Sequence, residues 1–553
     1  MSHPLKPSRR GFIAGTTMTA LAMTLAACGA NSSSTSAPNA EGKEGGTLTI
    51  LTSDTDMNFD PAKSQSLAIT SLALVHRRLT AWSIEPGKEA RVVPDLATDT
   101  GTVSDDGLTW TYTLKDNLKD SDGNPITSHQ IKYGIERTFA DALSGGLSYH
   151  KVLLEGAEGY VGPYDGAHLD SVETPDDKTI IFHLVHPFGD WPWIASTPAF
   201  APVPEGDDPK TYSRKPVASG PYKVSEYQQG VSVTLARNEY WQRDTDEVRT
   251  ALPDTIVFSL GQDQSVASQR LIADSGADKN AFGSNLVGAA QLAQVMGNPT
   301  ARDRLVSSDP GPLLYLAINN ERVTDLKVRQ AISHAVNKDA VVAALGGEQG
   351  AAPASTYITP GIPGREEYNL YPTDMDKAKQ LLEGADVPSN FVLLVRNRDA
   401  DMAVAEAVAQ SLSELGLNVQ IDPAEGEVFS ERTTQGDGSS YDLAIAGWNP
   451  DYPSANANIQ PLYDSREISN GGQNFCRYSN AEVDAAIEEA AQENDLAKAS
   501  EMWAALDKRI AEDAPSVPLV FRRYSFLRGS GVTNFFVEAF PAYPNYLVLG
   551  VNS

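Results

Sequence analysis

From residue 46 onward the chain alternates short β-branched runs with longer stretches in which apolar residues recur every three or four positions. Residues 46–52, Gly-Thr-Leu-Thr-Ile-Leu-Thr, read as a strand, and so do 108–114, 179–184, 222–224, 231–235, 255–260 and 313–318. Helical spacing predicts helices over 128–143, 263–274, 325–344, 374–384, 400–415, 480–490 and 494–511, often opened by Ser, Asp or Asn in the N-cap position. The mixture is α plus β throughout, with no fixed-period repeat. The sharpest unit is 391–422: an apolar run at 391–395, a helix from about 400 to 415, a stop at Gly416 and a second run at 417–421. This is a βαβ unit, and it predicts a parallel sheet in the second half of the chain.

The first residues follow another pattern. Lys6, Arg9 and Arg10 stand without any acid, 11–27 are small and apolar, and Leu25-Ala26-Ala27-Cys28 closes the run before a polar stretch. Such a segment is a signal peptide, too short for a stable membrane span. Its end resembles a bacterial lipobox, which implies cleavage after residue 27 and a lipid on Cys28. Ser8-Arg9-Arg10-Gly11-Phe12-Ile13 resembles a twin-arginine export motif. Residues 28–44 are low in apolar content and read as a polar tether holding a folded body away from a membrane. The expected location is outside the cytoplasm, anchored to the outer face of the cell membrane.

Composition narrows the function. Across 553 residues, 72 acids face 44 bases for a formal charge of −28, and loss of residues 1–27 removes three bases and no acid, leaving −31. A body of that charge repels nucleic acid and anionic lipid. Two cysteines, Cys28 and Cys476, cannot build a Cys-rich metal site, and Cys476 reads as a lone packed thiol. HExxH, Walker and GxSxG motifs are absent, and Ser148-Tyr149-His150-Lys151 is an SxxK without its companion elements. Asp120-Ser121-Asp122-Gly123-Asn124 has its glycine at the fourth position of a would-be calcium loop, so a β-turn accounts for it better. Asp105-Asp106 and Asp176-Asp177 read as hairpin turns. The expectation is a binding protein without catalysis, metal or cofactor.

The motifs between the turns carry a resemblance. Val93-Pro94-Asp95-Leu96-Ala97, the run 104–115 and Asp120–Thr127 (DSDGNPIT) resemble the N-terminal motif of the peptide/nickel-type solute-binding proteins of ABC importers, extracellular solute-binding protein family 5. Ala218-Ser219-Gly220-Pro221-Tyr222, the run 235–241, the run 325–332, Gly447-Trp448-Asn449-Pro450-Asp451-Tyr452 and the run 478–484 match the same family in order and approximate spacing. The resemblance covers about 45–550 and is most like the oligopeptide- and dipeptide-binding lipoproteins. It implies a bilobed α/β fold of the periplasmic-binding-protein type II, with an enlarged first lobe and a two-strand hinge. The first lobe would span 45–315, with a subregion at about 65–215, and return at 516–553; the second lobe would span 316–515. The apolar runs 313–318 and 517–521 are expected to thread between the lobes.

The resemblance also implies a peptide ligand, membrane permease subunits as partners, and a monomer. Relatives pair the aspartate of the Trp-x-x-Asp-Tyr segment with the ligand ammonium, which falls on Asp451. A carboxylate desolvated by lobe closure is costly unless a cation compensates it. Trp448 would form a cleft wall, with Tyr452 behind it. For the ligand carboxylate, Arg396 and Arg398 at the end of the 391–395 run are the candidates, since a guanidinium fork grips a carboxylate bidentately. The acids of 53–60 would line the cleft and favour a cationic ligand. Alternatives are capture of another amine-bearing solute, arginine-like, signalling or secondary-metabolite related, and, from a different class, a lipid-anchored hydrolase.

Overall fold

The computed structural model describes residues 42–469 and 471–552; the expected signal peptide, Cys28 and nearly all of the tether lie outside them. Among the described residues no helix is long and apolar enough to cross a membrane. The structure is mixed α/β and is built on three larger sheets.

Thr47–Leu51, the first predicted strand, runs parallel to both Thr255–Ser259 and Ala281–Gly283. The sheet continues antiparallel through Ser232–Arg237 to Tyr222–Gln228, giving five strands. A four-stranded antiparallel sheet of Thr102–Val103, Thr109–Thr113, Thr179–His183 and Val172–Glu173 stands within the expected 65–215 subregion. Its turns absorb the acid pairs: Asp106 Oδ1 accepts from Ser104 Oγ and the Leu108 N–H, and Asp176 Oδ1 accepts from the Lys178 and Thr179 N–H groups. Asp120 Oδ1 likewise accepts from the N–H groups of Asp122 and Asn124 around Gly123, whose φ of 87° suits glycine.

The six-stranded sheet has the order Ala351–Pro353, Ser516–Arg522, Leu313–Ile318, Leu443–Trp448, Phe391–Arg396, Val419–Ala424. The predicted βαβ unit is present, with Phe391–Arg396 and Val419–Ala424 parallel neighbours joined by the helix Asp399–Leu415 and its Gly416 cap. Alternation along the strands explains the layers. Leu313, Tyr315, Ala317, Leu394, Ala444 and Ala446 point to one face, towards Tyr463 and Trp503. Leu314, Leu316, Ile318, Leu393, Leu443 and Ile445 point to the other, towards Val328, Ile332, Val404 and Leu412. Both faces being covered, the strands read as continuous apolar runs, and each fully buried Leu or Ile contributes about 1.5–3 kcal/mol.

Two expectations need correction. The runs at 313–318 and 517–521 do not thread between lobes; both belong wholly to the six-stranded sheet, where they pair with each other antiparallel. The pairing of Leu313–Ile318 along its whole length with Leu443–Trp448 on one side and Ser516–Arg522 on the other is the physical reason. The chain leads into and out of this sheet through a separate antiparallel pair, Leu305–Ser307 with Ser525–Leu527. The helix expected at 325–344 is two, Leu326–Ala335 and Lys338–Ala344. Asn337 breaks the run by capping the second helix, its side chain accepting from the Ala340 N–H at 3.1 Å.

Candidate functional site

Strand Leu443–Trp448 runs parallel to Phe391–Arg396, so the carboxyl ends of both open on one edge of the six-stranded sheet. The antiparallel strand Leu313–Ile318 begins at that edge, with Leu313 opposite Trp448 and Phe521. Crevices outside the carboxyl ends of parallel strands are where open α/β sheets hold ligands. Trp448, Asp451, Tyr452 and Arg396 therefore issue from one edge of one sheet.

Trp448 is half-buried, and its indole Nε1 donates to the Ala457 carbonyl at 2.8 Å, which fixes the orientation of the ring. Asn449 Nδ2 reaches the Pro541 carbonyl at 3.4 Å, tying the segment to the C-terminal return of the chain. Asp451 is exposed and accepts a 2.6 Å hydrogen bond from the Tyr149 hydroxyl. Tyr452 is buried at 3% exposure, and its ring meets that of Tyr149 edge-on with centroids 5.5 Å apart. Burial foremost, and then the Asp451 charge, push the Tyr149 phenol far above its ordinary range, so it stays a donor to the carboxylate.

Three residues further, Ser454 Oγ donates to Asp190 Oδ2 at 2.6 Å. Asp190 is 8% exposed, and burial pushes its carboxyl up to about 6 despite the hydrogen bond from Ser454. Tyr149 and Asp190 flank the four-stranded sheet, so the 451–456 segment is gripped from across the chain at two points. Sequence reading did not reach either residue. Tyr149 sat inside an SxxK match and Asp190 in a short apolar stretch, and pairing across hundreds of residues leaves no local mark.

Arg396 is half-buried, with its guanidinium carbon 3.9 Å from the centre of the Phe429 ring. Burial lowers its pKa, and Asp401 acts against that shift. Stacking holds the fork rigid while leaving its edge free for an anion. Arg398 is exposed; it stands at the N-cap of Asp399–Leu415, turned by a backbone bond from its own N–H to the Arg396 carbonyl. The acids of 53–60 do not act together. Asp60 is fully buried and holds Arg137 through two 2.9 Å bonds, so it is part of the framework. Asp56 accepts from Tyr227 and Asp54 from Thr52, and both are exposed. Cys476 is buried, with its thiol pushed up to about 12 by desolvation.

The family model for bacterial extracellular solute-binding proteins, family 5 (middle), matches residues 91–470. Over 469 residues the chain is 23% identical to the dipeptide-binding protein DppE of Bacillus subtilis (strain 168), covering 81% of this chain and 82% of that one. It is 25% identical over 466 residues to the glutathione-binding protein GsiB of Escherichia coli O1:K1 / APEC, covering 81% and 84%. Among solved structures it superposes on clavulanic acid biosynthesis oligopeptide binding protein 2 with a TM-score of 0.83 and 31% identity, over 92% of this chain and 96% of that one. The unliganded open form of the periplasmic murein tripeptide binding protein MppA shares the fold, with a TM-score of 0.76 at 20% identity over 92% and 98%. The structural neighbours are bilobed periplasmic binding proteins.

Proposed function

The chain belongs to the bacterial extracellular solute-binding proteins of family 5, and from that premise we propose that it captures oligopeptides between its lobes and delivers them to the permease of an ABC importer. Asp451 holds the ligand's α-ammonium. The observation that carries this reading is the carboxylate itself: exposed at the open edge of the sheet and oriented by Tyr149, with no protein cation within salt-bridge reach among the described residues. An ammonium group supplies the missing charge, and the Tyr149 bond keeps the carboxylate aimed as it arrives. Trp448 forms the adjoining wall. Arg396, stiffened against Phe429, receives the ligand carboxylate, with Arg398 beside it. Peptide backbones are held by main-chain groups and water, which permits varied side chains. The body is tethered outside the cytoplasm by a lipid on Cys28 and works as a monomer.

Mass spectrometry of ligands released from gently purified protein tests the reading, followed by titration with matched free-amine and N-acetylated peptides. Recovery of peptides, with N-acetylation weakening binding by roughly ten- to a hundredfold, is the expected result. Binding indifferent to N-acetylation would overturn the role of Asp451. A second reading is capture of an amine-bearing solute related to secondary metabolism; what favours it is only that the 31% identical structure belongs to clavulanic acid biosynthesis, since that protein is itself named for binding oligopeptides. Recovery of a non-peptide amine in the same experiment would select that reading.

A further inference from the structure

A cavity of about 150 Å³ is lined in part by Pro453, Ser454 and Ala455, and neither Asp451 nor Trp448 lines it. One wall, Val92, Asp190 and Trp193, comes from the region around the four-stranded sheet. The other, Pro453, Ser454 and Trp503, comes from the loop after Leu443–Trp448 and from the helix Leu496–Glu512. Both indoles are almost fully buried, at 4% and 3% exposure. The Asp190 carboxylate, 8% exposed, lines the cavity with them, and the Ser454 hydroxyl that donates to it at 2.6 Å brings no charge. Arg91, at the mouth, is engaged with Glu85 at 2.6 Å and with Ser83 at 3.1 Å.

A desolvated carboxylate without a cation is costly, and tryptophan faces are the best aromatic partners a cation finds. The space is too small for a whole peptide and suits a single head group. We infer that this cavity is a second binding site, for a small organic cation of the guanidinium or alkylammonium class, with its charge on Asp190 and its faces against Trp193 and Trp503. Both sides of the 451–456 contact contribute walls, so an occupant favours the arrangement in which they meet. The site shares the 451–456 segment with the Asp451 contact but does not use the Asp451 carboxylate.

Titration calorimetry of the purified chain with methylguanidinium, and with N-methylurea as its neutral counterpart, tests the assignment. Saturable binding of methylguanidinium alone is expected, weakening about tenfold for each pH unit below 6 as Asp190 takes up a proton. Asp190→Asn abolishes it, and Trp503→Leu, which keeps the carboxylate, weakens it. Asp451→Asn leaves it unchanged, so failure of the peptide site and failure of this one are told apart. Equal heats from N-methylurea, retention in a folded Asp190→Asn protein, or loss in Asp451→Asn would each overturn the proposal.

Discussion

The Tyr149 hydroxyl donates a 2.6 Å hydrogen bond to Asp451 Oδ2, joining residues 302 positions apart in the chain. The bond orients a carboxylate that would otherwise turn freely at an exposed loop. Removing the hydroxyl with Tyr149→Phe leaves the ring packed on Tyr452 and costs about 1 kcal/mol of peptide affinity, roughly a fivefold rise in Kd. Asp451→Asn costs about 1.5–3 kcal/mol, because a charged hydrogen bond is lost. Calorimetry with free-amine and N-acetylated peptides checks both. N-acetylation should erase the difference between parent and variants.

Arg396 and Arg398 are two residues apart but differ in setting, one stacked on Phe429 and the other exposed at a helix cap. A preorganised fork loses less entropy on gripping a carboxylate. Arg396→Ala should therefore weaken free-carboxylate peptides about tenfold more than their C-terminal amides, whereas Arg398→Ala should change neither by more than about twofold. A panel of acid and amide peptides measures this. An equal loss for both forms in Arg396→Ala would assign Arg396 to packing alone.

Much of the fold is legible in the sequence because its signals are local. The 391–422 unit and the Asp-Gly turns fall within reach of their own residues and appear where expected, and so do most of the capped helices, although the one expected over 128–143 ends at Arg137. The helix break at Asn337 was also written locally, since asparagine caps well and the following residues restart the period. What sequence reading missed is long-range. Leu313–Ile318 reads the same whether it crosses between lobes or sits at a sheet centre, and only its pairing with Ser516–Arg522 decides. The acids of 53–60 look alike, yet Asp60 alone meets a buried arginine. Asp451 was reached through a resemblance, whereas its partner Tyr149 required the fold.

Buried titratable groups set opposing pH dependences. Burial pushes Asp190 and Asp507 up to about 6, while His76 is lowered to about 4 and His150 to about 3, by burial first and then by the charges of Arg78 and Lys151. The two acids bind protons more tightly folded than unfolded, so their contribution to stability is present below about pH 4 and lost as pH rises through 6. The histidines are held neutral, so their contribution is full above about 6.5 and lost as pH falls towards 4 and 3. The slopes oppose one another between pH 4 and 6. Asp507→Asn should gain stability relative to the parent across that window as pH rises, on the order of 2 kcal/mol, and His150→Gln should shift the opposite way. Denaturant midpoints at half-unit pH steps check both; profiles parallel to the parent would refute the assignment.

Cys476 is fully buried and its thiol is pushed up to about 12. Reactivity follows the thiolate, so the native protein should resist iodoacetamide and aromatic disulfide reagents at pH 8. In a chain beginning after Cys28, unfolding by denaturant should expose one thiol, and the labelling rate should rise by several orders of magnitude. Mass spectrometry of the modified protein reads the site.

Gly189 donates its N–H to the Ala491 carbonyl at 2.8 Å, and a β-carbon there would collide with the carbonyl oxygen of Glu493. The obstacle is main chain, at the turn between the helices Ala481–Gln492 and Leu496–Glu512, so no side-chain rotation relieves it. Gly189→Ala must push the turn away from the four-stranded region and carry the neighbouring Asp190–Ser454 bond with it. The expected cost is about 1–3 kcal/mol of stability. The same displacement withdraws Asp451 from Tyr149, so peptide affinity should fall together with stability. Gly107, which meets Pro187 and Asn494 beside the same turn, offers the comparison: its nearest obstacles are the ring Cβ of Pro187, which belongs to a neighbouring loop and not to the turn, and the amide end of Asn494, which can rotate away, and its own φ of 73° adds backbone strain. Gly107→Ala should therefore lose stability with a smaller loss of affinity. Denaturation and calorimetry on both variants measure the split, and equal affinity losses would show that close approach at Gly189 does not position the binding segment.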